Sequence, residues 1–130
     1  MKKPMMAAWM FGLLAFSSVP MMAQQPTVER KVLLTQDLTI PGYQIVMASV
    51  EHPVGAREGR HTHPGAVVVY IMEGVLTLDY EGKLTTYKAG DTLYVEGGKI
   101  HEAINNGSSV VKAIATFVVE KGKPVASPAP

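Results

Sequence analysis

The sequence contains no cysteine among its 130 residues, and this absence excludes several kinds of structure and chemistry. The chain can form no disulfide, it offers no thiol nucleophile, and it has no residue to which a lipid anchor of the cysteine-linked type could be attached. A domain of this size without disulfides must depend on its hydrophobic core for stability.

An excess of charge of one sign is also missing. Twelve Lys and Arg stand against eleven Asp and Glu, and the signs alternate along the chain. Nucleic acids and anionic membrane surfaces require a basic stripe, so neither is an expected partner. The chain also has no Gly-rich phosphate loop, serine elbow or paired carboxylates. The common motifs of phosphoryl- and acyl-transfer enzymes are therefore absent from the sequence.

The N-terminal 23 residues have the pattern of a secretory signal peptide. Lys2 and Lys3 are followed by an uncharged stretch over residues 5–19, and Ala23 ends the segment. This order of charged, apolar and small residues predicts a signal peptide over residues 1–23 that is cleaved after Ala23. The apolar stretch is shorter than the roughly 20 residues that a transmembrane helix needs. We therefore expect a secreted, periplasmic protein of a bacterium, with no membrane attachment after cleavage.

The rest of the chain has the pattern of an all-β domain. Short runs rich in β-branched and aromatic residues alternate with turn residues, and they cover 43–50, 66–72, 75–80, 84–87, 92–95 and 110–119. The pairs Glu81-Gly82 and Asn106-Gly107 predict tight hairpins, while Gly74 predicts a bulge or bend. We place one domain at 24–120, built as a sandwich or barrel, followed by a flexible Pro- and Ala-rich tail at 121–130.

Three histidines occupy positions that point to a metal site. His61 and His63 are two residues apart, so in a strand they face the same side, about 6.6 Å apart. Two such imidazoles can lean onto one ion about 2.1 Å from each nitrogen. His101, from a distant strand, would supply the third ligand.

The spacing around these histidines resembles the two motifs of the cupin superfamily. The first, G-x5-H-x-H-x3-E-x6-G, is met at Gly55, His61, His63 and Gly74, and the second, G-x5-P-x-G-x2-H-x3-N, is met at Gly90, Gly98, His101 and Asn105. The resemblance extends from about residue 43 to residue 119. It implies a small single-domain cupin with a double-stranded β-helix, also called a jelly-roll barrel. It also implies a divalent metal as cofactor, and relatives that pair through their sheets suggest a homodimer.

Two motif positions depart from the family pattern. Val67 stands where the family has its metal-binding Glu, and Glu96 stands where it has Pro. Three imidazoles alone can hold a metal, and the ion then keeps its full double charge and open positions. Iron or manganese is favoured, with zinc and nickel as alternatives. By strand parity, Val67, Val69 and Ile71 are expected to line an apolar pocket beside the ligands.

The remaining polar candidates carry weaker expectations. His52 precedes Pro53 and is predicted to lie at the surface, and Tyr70 is predicted to pack between sheets. Asn105 is expected to hold a turn. Glu58 and Glu102 are the nearby candidates for proton transfer.

Two functions of different kinds fit this reading. One is a metal-dependent, dioxygenase-like enzyme acting on a small oxygenated substrate. The other is a non-catalytic cupin that binds a small molecule, with or without a metal. A fold by itself does not decide between them, because one fold supports many chemistries.

Overall fold

A computed structural model describes residue 20 and residues 22–130, and every regular element within that part of the chain is a β-strand. The predicted signal peptide at 1–23 lies almost entirely outside the described residues. In the described part, no helix is long and apolar enough to cross a membrane. The all-β prediction is confirmed, with strands at β1 (Glu29–Asp37), β2 (Tyr43–His52), β3 (His61–Thr62), β4 (Ala66–Glu73), β5 (Val75–Tyr80), β6 (Lys83–Lys88), β7 (Thr92–Val95), β8 (His101–Ile104), β9 (Val111–Glu120) and β10 (Ser127–Pro128).

The strands form two five-stranded antiparallel sheets. One has the order β1-β2-β9-β4-β7 and the other β10-β3-β8-β5-β6. From β2 onward the chain changes sheet after every strand except between β5 and β6, so it winds around the barrel rather than completing one sheet at a time. The three histidines of the motif lie on β3, just after it, and on β8, which are neighbours in the second sheet.

The core lies between the two sheets. Along β9 the buried side chains alternate with more exposed ones, and Val111, Ala113, Ala115, Phe117 and Val119 all face inward. This period of two is what a strand with one covered face requires. The same hydrophobic cluster contains residues of both sheets, so the two inner faces pack on each other.

One predicted hairpin is confirmed and the other is wrong. Glu81 and Gly82 both have positive φ, 53° and 86°, and join the paired strands β5 and β6, as a tight hairpin turn requires. Asn106-Gly107, in contrast, lies between β8 and β9, which belong to different sheets. The turn residues there direct a crossover, because the non-local pairing of β9 with β2 and β4 decides where that strand goes.

Gly74 marks a bend, as the sequence predicts. The pairing of β4 with β9 shifts register between Ile71 and Glu73, and Gly74 follows with φ of 82°. A Cβ at this position would lie 2.6 Å from the carbonyl oxygen of Val110. Glycine is therefore needed both for the backbone angle and for the close approach where the chain leaves one sheet for the other.

Two features of the first sheet differ from expectation. β1 is a nine-residue strand in which every residue is exposed. Burial therefore imposes on it no alternation of apolar and polar residues from which a strand could be predicted. The expectation that Tyr70 packs between sheets is wrong, because this side chain is on the outer face of β4 and is 47% exposed. Neighbouring Val67 and Ile71 take the inner face.

Candidate metal centre

Backbone pairing brings the three histidines together. His61 on β3 lies directly opposite His101 on β8 in the antiparallel register, and His63 follows two residues after His61. The ring centroids are 4.8 Å apart for His61 and His63, 4.3 Å for His61 and His101, and 4.9 Å for His63 and His101. All three side chains are buried, and one ring nitrogen from each lies within 4.8 Å of the other two.

Each ring is oriented by a hydrogen bond to a backbone carbonyl. Nδ1 of His61 donates to the oxygen of Gly59 at 2.8 Å, and Nδ1 of His101 donates to that of Lys99 at 3.0 Å. Nδ1 of His63 donates to the oxygen of Val125 at 2.6 Å. Because a carbonyl can only accept, these contacts place a proton on Nδ1 of each ring, so in the neutral form of a ring the lone pair is on Nε2. This is the arrangement that metal-binding histidines need.

Burial also keeps two of these rings neutral. Desolvation lowers the pKa of His63 to about 4, opposed by the bond to Val125 and reinforced by the neighbouring rings. Desolvation likewise lowers the pKa of His101, against the opposing effect of its bond to Lys99. A proton therefore competes weakly for these nitrogens near pH 7. The donor set, its orientation and its charge state all fit a divalent metal.

The histidines form one wall of a small cavity inside the barrel, with a volume of about 60 Å³. Val67 and Val69 are among its lining residues, whereas Ile71 packs in the core and does not line it. A cavity needs about 10–15 Å³ of such volume to hold one water, so this space accommodates several waters or a very small molecule. A larger groove of about 550 Å³ opens beside it, past Arg30 and the C-terminal segment.

His52 is buried, contrary to the expectation from the loop-like His-Pro sequence. β2 continues through His52, which pairs with Val111 and faces inward, 3% exposed. Its Nε2 lies 2.9 Å from Oε1 of Glu58. Its Nδ1 is buried without a hydrogen-bond partner among the described residues. His52 therefore belongs to the cavity wall, and its role is to hold Glu58.

Glu58 is an ionised carboxylate at the edge of the three-histidine cluster. Burial opposes its ionisation, but the hydrogen bond from His52 and the charge of Arg30 outweigh burial and lower the pKa of Glu58 to about 2. Arg30 donates to Oε1, while Oε2 lies 3.5 Å from Nε2 of His61. Arg30 is on β1, the strand that the sequence pattern does not reveal, so its place at the site depends on tertiary structure.

Glu102, the other acidic candidate for proton transfer, binds Arg57 rather than lining the cavity. Both carboxylate oxygens of Glu102 accept hydrogen bonds from Arg57, at 2.9 and 2.7 Å, and Glu102 is not among the residues lining the cavity.

Asn105 has the structural role expected of it. Its side-chain NH₂ donates to the carbonyls of His52 and Ser109, and its Oδ1 accepts from the amide of Gly107, so it fixes the crossover.

The C-terminal segment is part of the site rather than a flexible tail. β10 pairs with β3 through Ser127 and Pro128, and the amide of Ala129 donates to the carbonyl of Arg60. Its Pro- and Ala-rich composition conceals this role, because the segment binds through backbone groups. Val125 contributes the carbonyl that orients His63.

Removal of residues 124–130 tests the contribution of this segment. Loss of the Val125 carbonyl should weaken metal affinity by about 10–100-fold, the usual cost of removing a hydrogen-bond partner of a ligand. Isothermal titration with Mn²⁺ or Zn²⁺ measures the change. The matched control is Val125→Ala, which keeps the carbonyl and should bind as the wild type does. Equal affinity in the truncated protein would show that His63 is oriented without β10.

Comparison with known proteins agrees with the geometry. The family model described as "Cupin domain" matches residues 48–120. A protein from Thermotoga maritima named "Oxalate-binding protein" is 28% identical over 75 residues, which cover 57% of this chain and 62% of that relative's length.

Solved structures show the same fold. A protein with a double-stranded beta-helix domain from Klebsiella pneumoniae superposes with a TM-score of 0.65 at 21% identity, covering 82% of this chain and 85% of that one. A cupin-like protein from Thermotoga maritima also gives a TM-score of 0.65 at 21% identity, with 78% and 75% covered. The family match, the jelly-roll topology and the spacing of the three histidines lead to one conclusion: this chain belongs to the Cupin_2 family of the cupin superfamily.

Proposed function

We propose that this protein binds one divalent metal ion through Nε2 of His61, His63 and His101. The observation that carries the proposal is the set of three Nδ1 hydrogen bonds to backbone carbonyls, which turns the free nitrogen of each ring toward the others. Iron or manganese is the proposed native metal.

We further propose that the metal-loaded site holds a small carboxylate-bearing molecule. An ion held by neutral imidazoles supplies a concentrated positive charge for an anionic oxygen ligand. The cavity of about 60 Å³ limits what can enter fully, and the half-exposed Arg30 stands at its mouth. The name of the Thermotoga relative, an oxalate-binding protein, points to the same class of ligand.

Metal analysis and titration calorimetry test both statements. Untagged protein should contain close to one metal per chain, or take up one on reconstitution. Oxalate should bind the loaded protein and not the chelated protein, with formate and succinate as controls for charge and size. Failure of every divalent ion to bind would overturn the metal site. Equal binding of oxalate with and without metal would overturn the metal-dependent ligand site.

A dioxygenase-like reaction is the second candidate function. The feature that favours it is the small number of protein nitrogens around the site, since three ligands leave positions for both a substrate and dioxygen. A dioxygen-uptake assay of the iron- and manganese-loaded protein with small diketones, phenols and thiols distinguishes the enzyme from the binding module.

A further inference from the structure

The groove beside the cavity has the size of a ligand-binding site, whereas the cavity itself does not. The groove has a volume of about 550 Å³, against about 60 Å³ for the cavity. Pockets that bind small organic molecules commonly measure about 300–1,000 Å³. The walls of both spaces include Arg30, Glu58, His61, His63 and Phe117. A molecule whose head lies in the cavity can therefore extend its body into the groove.

The floor of the groove is apolar and is built by three neighbouring strands. Val32 on β1 pairs with Ala48 on β2. Val46, also on β2, pairs with Phe117 on β9. Paired residues of adjacent strands lie on the same face of a sheet, and Ala48, Val46 and Phe117 belong to the core. The ring of Phe117 lies 5.1 Å from that of His63, so this floor continues to the histidine cluster.

The second sheet does not cover this floor at β1. Within the described residues, β1 is the edge strand of its sheet and pairs with β2 alone. Val32 is on the inner face but is still 61% exposed. Val125 and Pro128 of the C-terminal segment form the opposite wall. Apolar walls on two sides favour an apolar body, because burial removes its surface from water.

The charge of the groove favours an anion. Its charged lining residues are Arg30, Arg60 and Glu58, and the carboxylate of Glu58 is already bound by Arg30 and His52. Arg30 uses one terminal nitrogen for that contact and is 46% exposed, so its remaining N–H groups are available to a ligand. Because Arg30 lines both spaces, an anionic group is favoured where the groove meets the cavity.

We propose that the ligand of this site is a carboxylate with an apolar body. Its carboxylate occupies the metal cavity beside Arg30, and its apolar chain or ring lies in the groove between β1 and the C-terminal segment. This inference rests on the proposed metal-dependent carboxylate site and adds the second half of the ligand. Oxalate would fill the head position alone, since it has no apolar body.

A series of straight-chain 2-oxo acids, titrated by calorimetry into the manganese-loaded protein, tests the inference. The head is constant from pyruvate to 2-oxohexanoate, so differences in affinity report the body. Each buried methylene should tighten binding by about 4-fold, and 2-oxohexanoate should bind at least about 10-fold more tightly than pyruvate. 2-Oxopentanoate should also bind more tightly than 2-oxoglutarate, which has the same carbon chain with a charged end.

Val32→Ser locates the effect in the groove. It removes an apolar wall and should weaken binding of 2-oxohexanoate by at least about 4-fold, while affinity for pyruvate and for Mn²⁺ stays unchanged. Leu34→Ser is the matched control. Leu34 is on the same strand and is 47% exposed, but it does not line the groove, so this variant should bind both acids as the wild type does.

Affinity that does not depend on chain length would overturn the inference and leave the metal site standing. Tighter binding of 2-oxoglutarate than of 2-oxopentanoate, or equal effects of the two serine variants, would overturn it as well. A wild-type dimer that Val32→Ser converts to a monomer, with no dependence on chain length, would assign the groove to a second copy of the chain. If the loaded protein binds neither oxalate nor pyruvate, the proposed carboxylate site itself fails, and the inference fails with it.

Discussion

Replacement of His101 by alanine is expected to weaken divalent metal binding by more than about 100-fold while the barrel remains folded. Removing an outer hydrogen-bond partner of a metal ligand already costs about 10–100-fold in affinity, so removing a ligand atom should cost more. His101 is the residue that connects β8 to the site, directly opposite His61. Without it, two nitrogens from one short segment would have to hold the ion. Titration calorimetry and metal content per chain after gel filtration measure the change.

The control for this experiment is Thr77→Ala. Thr77 is a buried polar residue on β5, beside β8, where its hydroxyl donates to Asn106, and it does not line the cavity. Its removal should lower the melting temperature slightly and leave metal affinity unchanged. Circular dichroism shows whether each variant keeps its β-structure. Full retention of metal by a folded His101→Ala protein would exclude His101 as a ligand.

Substitution of Gly65 by alanine should prevent stable folding. A Cβ on Gly65 would lie 1.9 Å from the carbonyl oxygen of Val118 and 3.0 Å from its carbonyl carbon. Both atoms are backbone atoms of β9, which is hydrogen-bonded on both sides by β2 and β4 and cannot move away. We expect a loss above about 4 kcal/mol, which is most of the stability of many small domains. Thermal and urea denaturation measure it.

Gly122→Ala provides the comparison. Gly122 has φ of 82°, but a Cβ there would meet no atom within 4 Å. The cost should be about 1–2 kcal/mol, from the left-handed backbone alone. If the two variants unfold at the same urea concentration, β9 is able to shift, and the close packing at Gly65 does not limit stability.

The fold could be predicted from sequence where burial imposes a pattern. β9 alternates along its length because one face is covered, and the Glu81-Gly82 hairpin needs residues that tolerate positive φ. Prediction failed where burial leaves no such pattern in the sequence. β1 has no buried residue in its range, and β10 binds through backbone groups, so neither leaves a side-chain signal. At Asn106-Gly107 the local turn preference is real, but distant pairing gives the chain another direction.

The candidate site divides in the same way. His61, His63 and His101 were identifiable from their spacing, because i and i+2 in a strand share a face and the motif relates the two segments. His52 was assigned to the surface because the following Pro53 resembles the start of a loop, yet β2 continues to it and buries it. Nothing local marks Arg30 or the Val125 carbonyl, since each reaches the site from a remote strand or segment.

The sequence by itself determined the family, the β-structure and the identity of three donor residues, because strand periodicity and motif spacing are local properties of the chain. Tertiary structure alone decided how the donors are used. It placed a carbonyl on each Nδ1, turned Oε2 of Glu58 toward His61, and brought the C-terminal segment against His63. These contacts join residues from separate strands, and hydrogen bonds of that kind depend on the packing of the whole barrel rather than on any one segment.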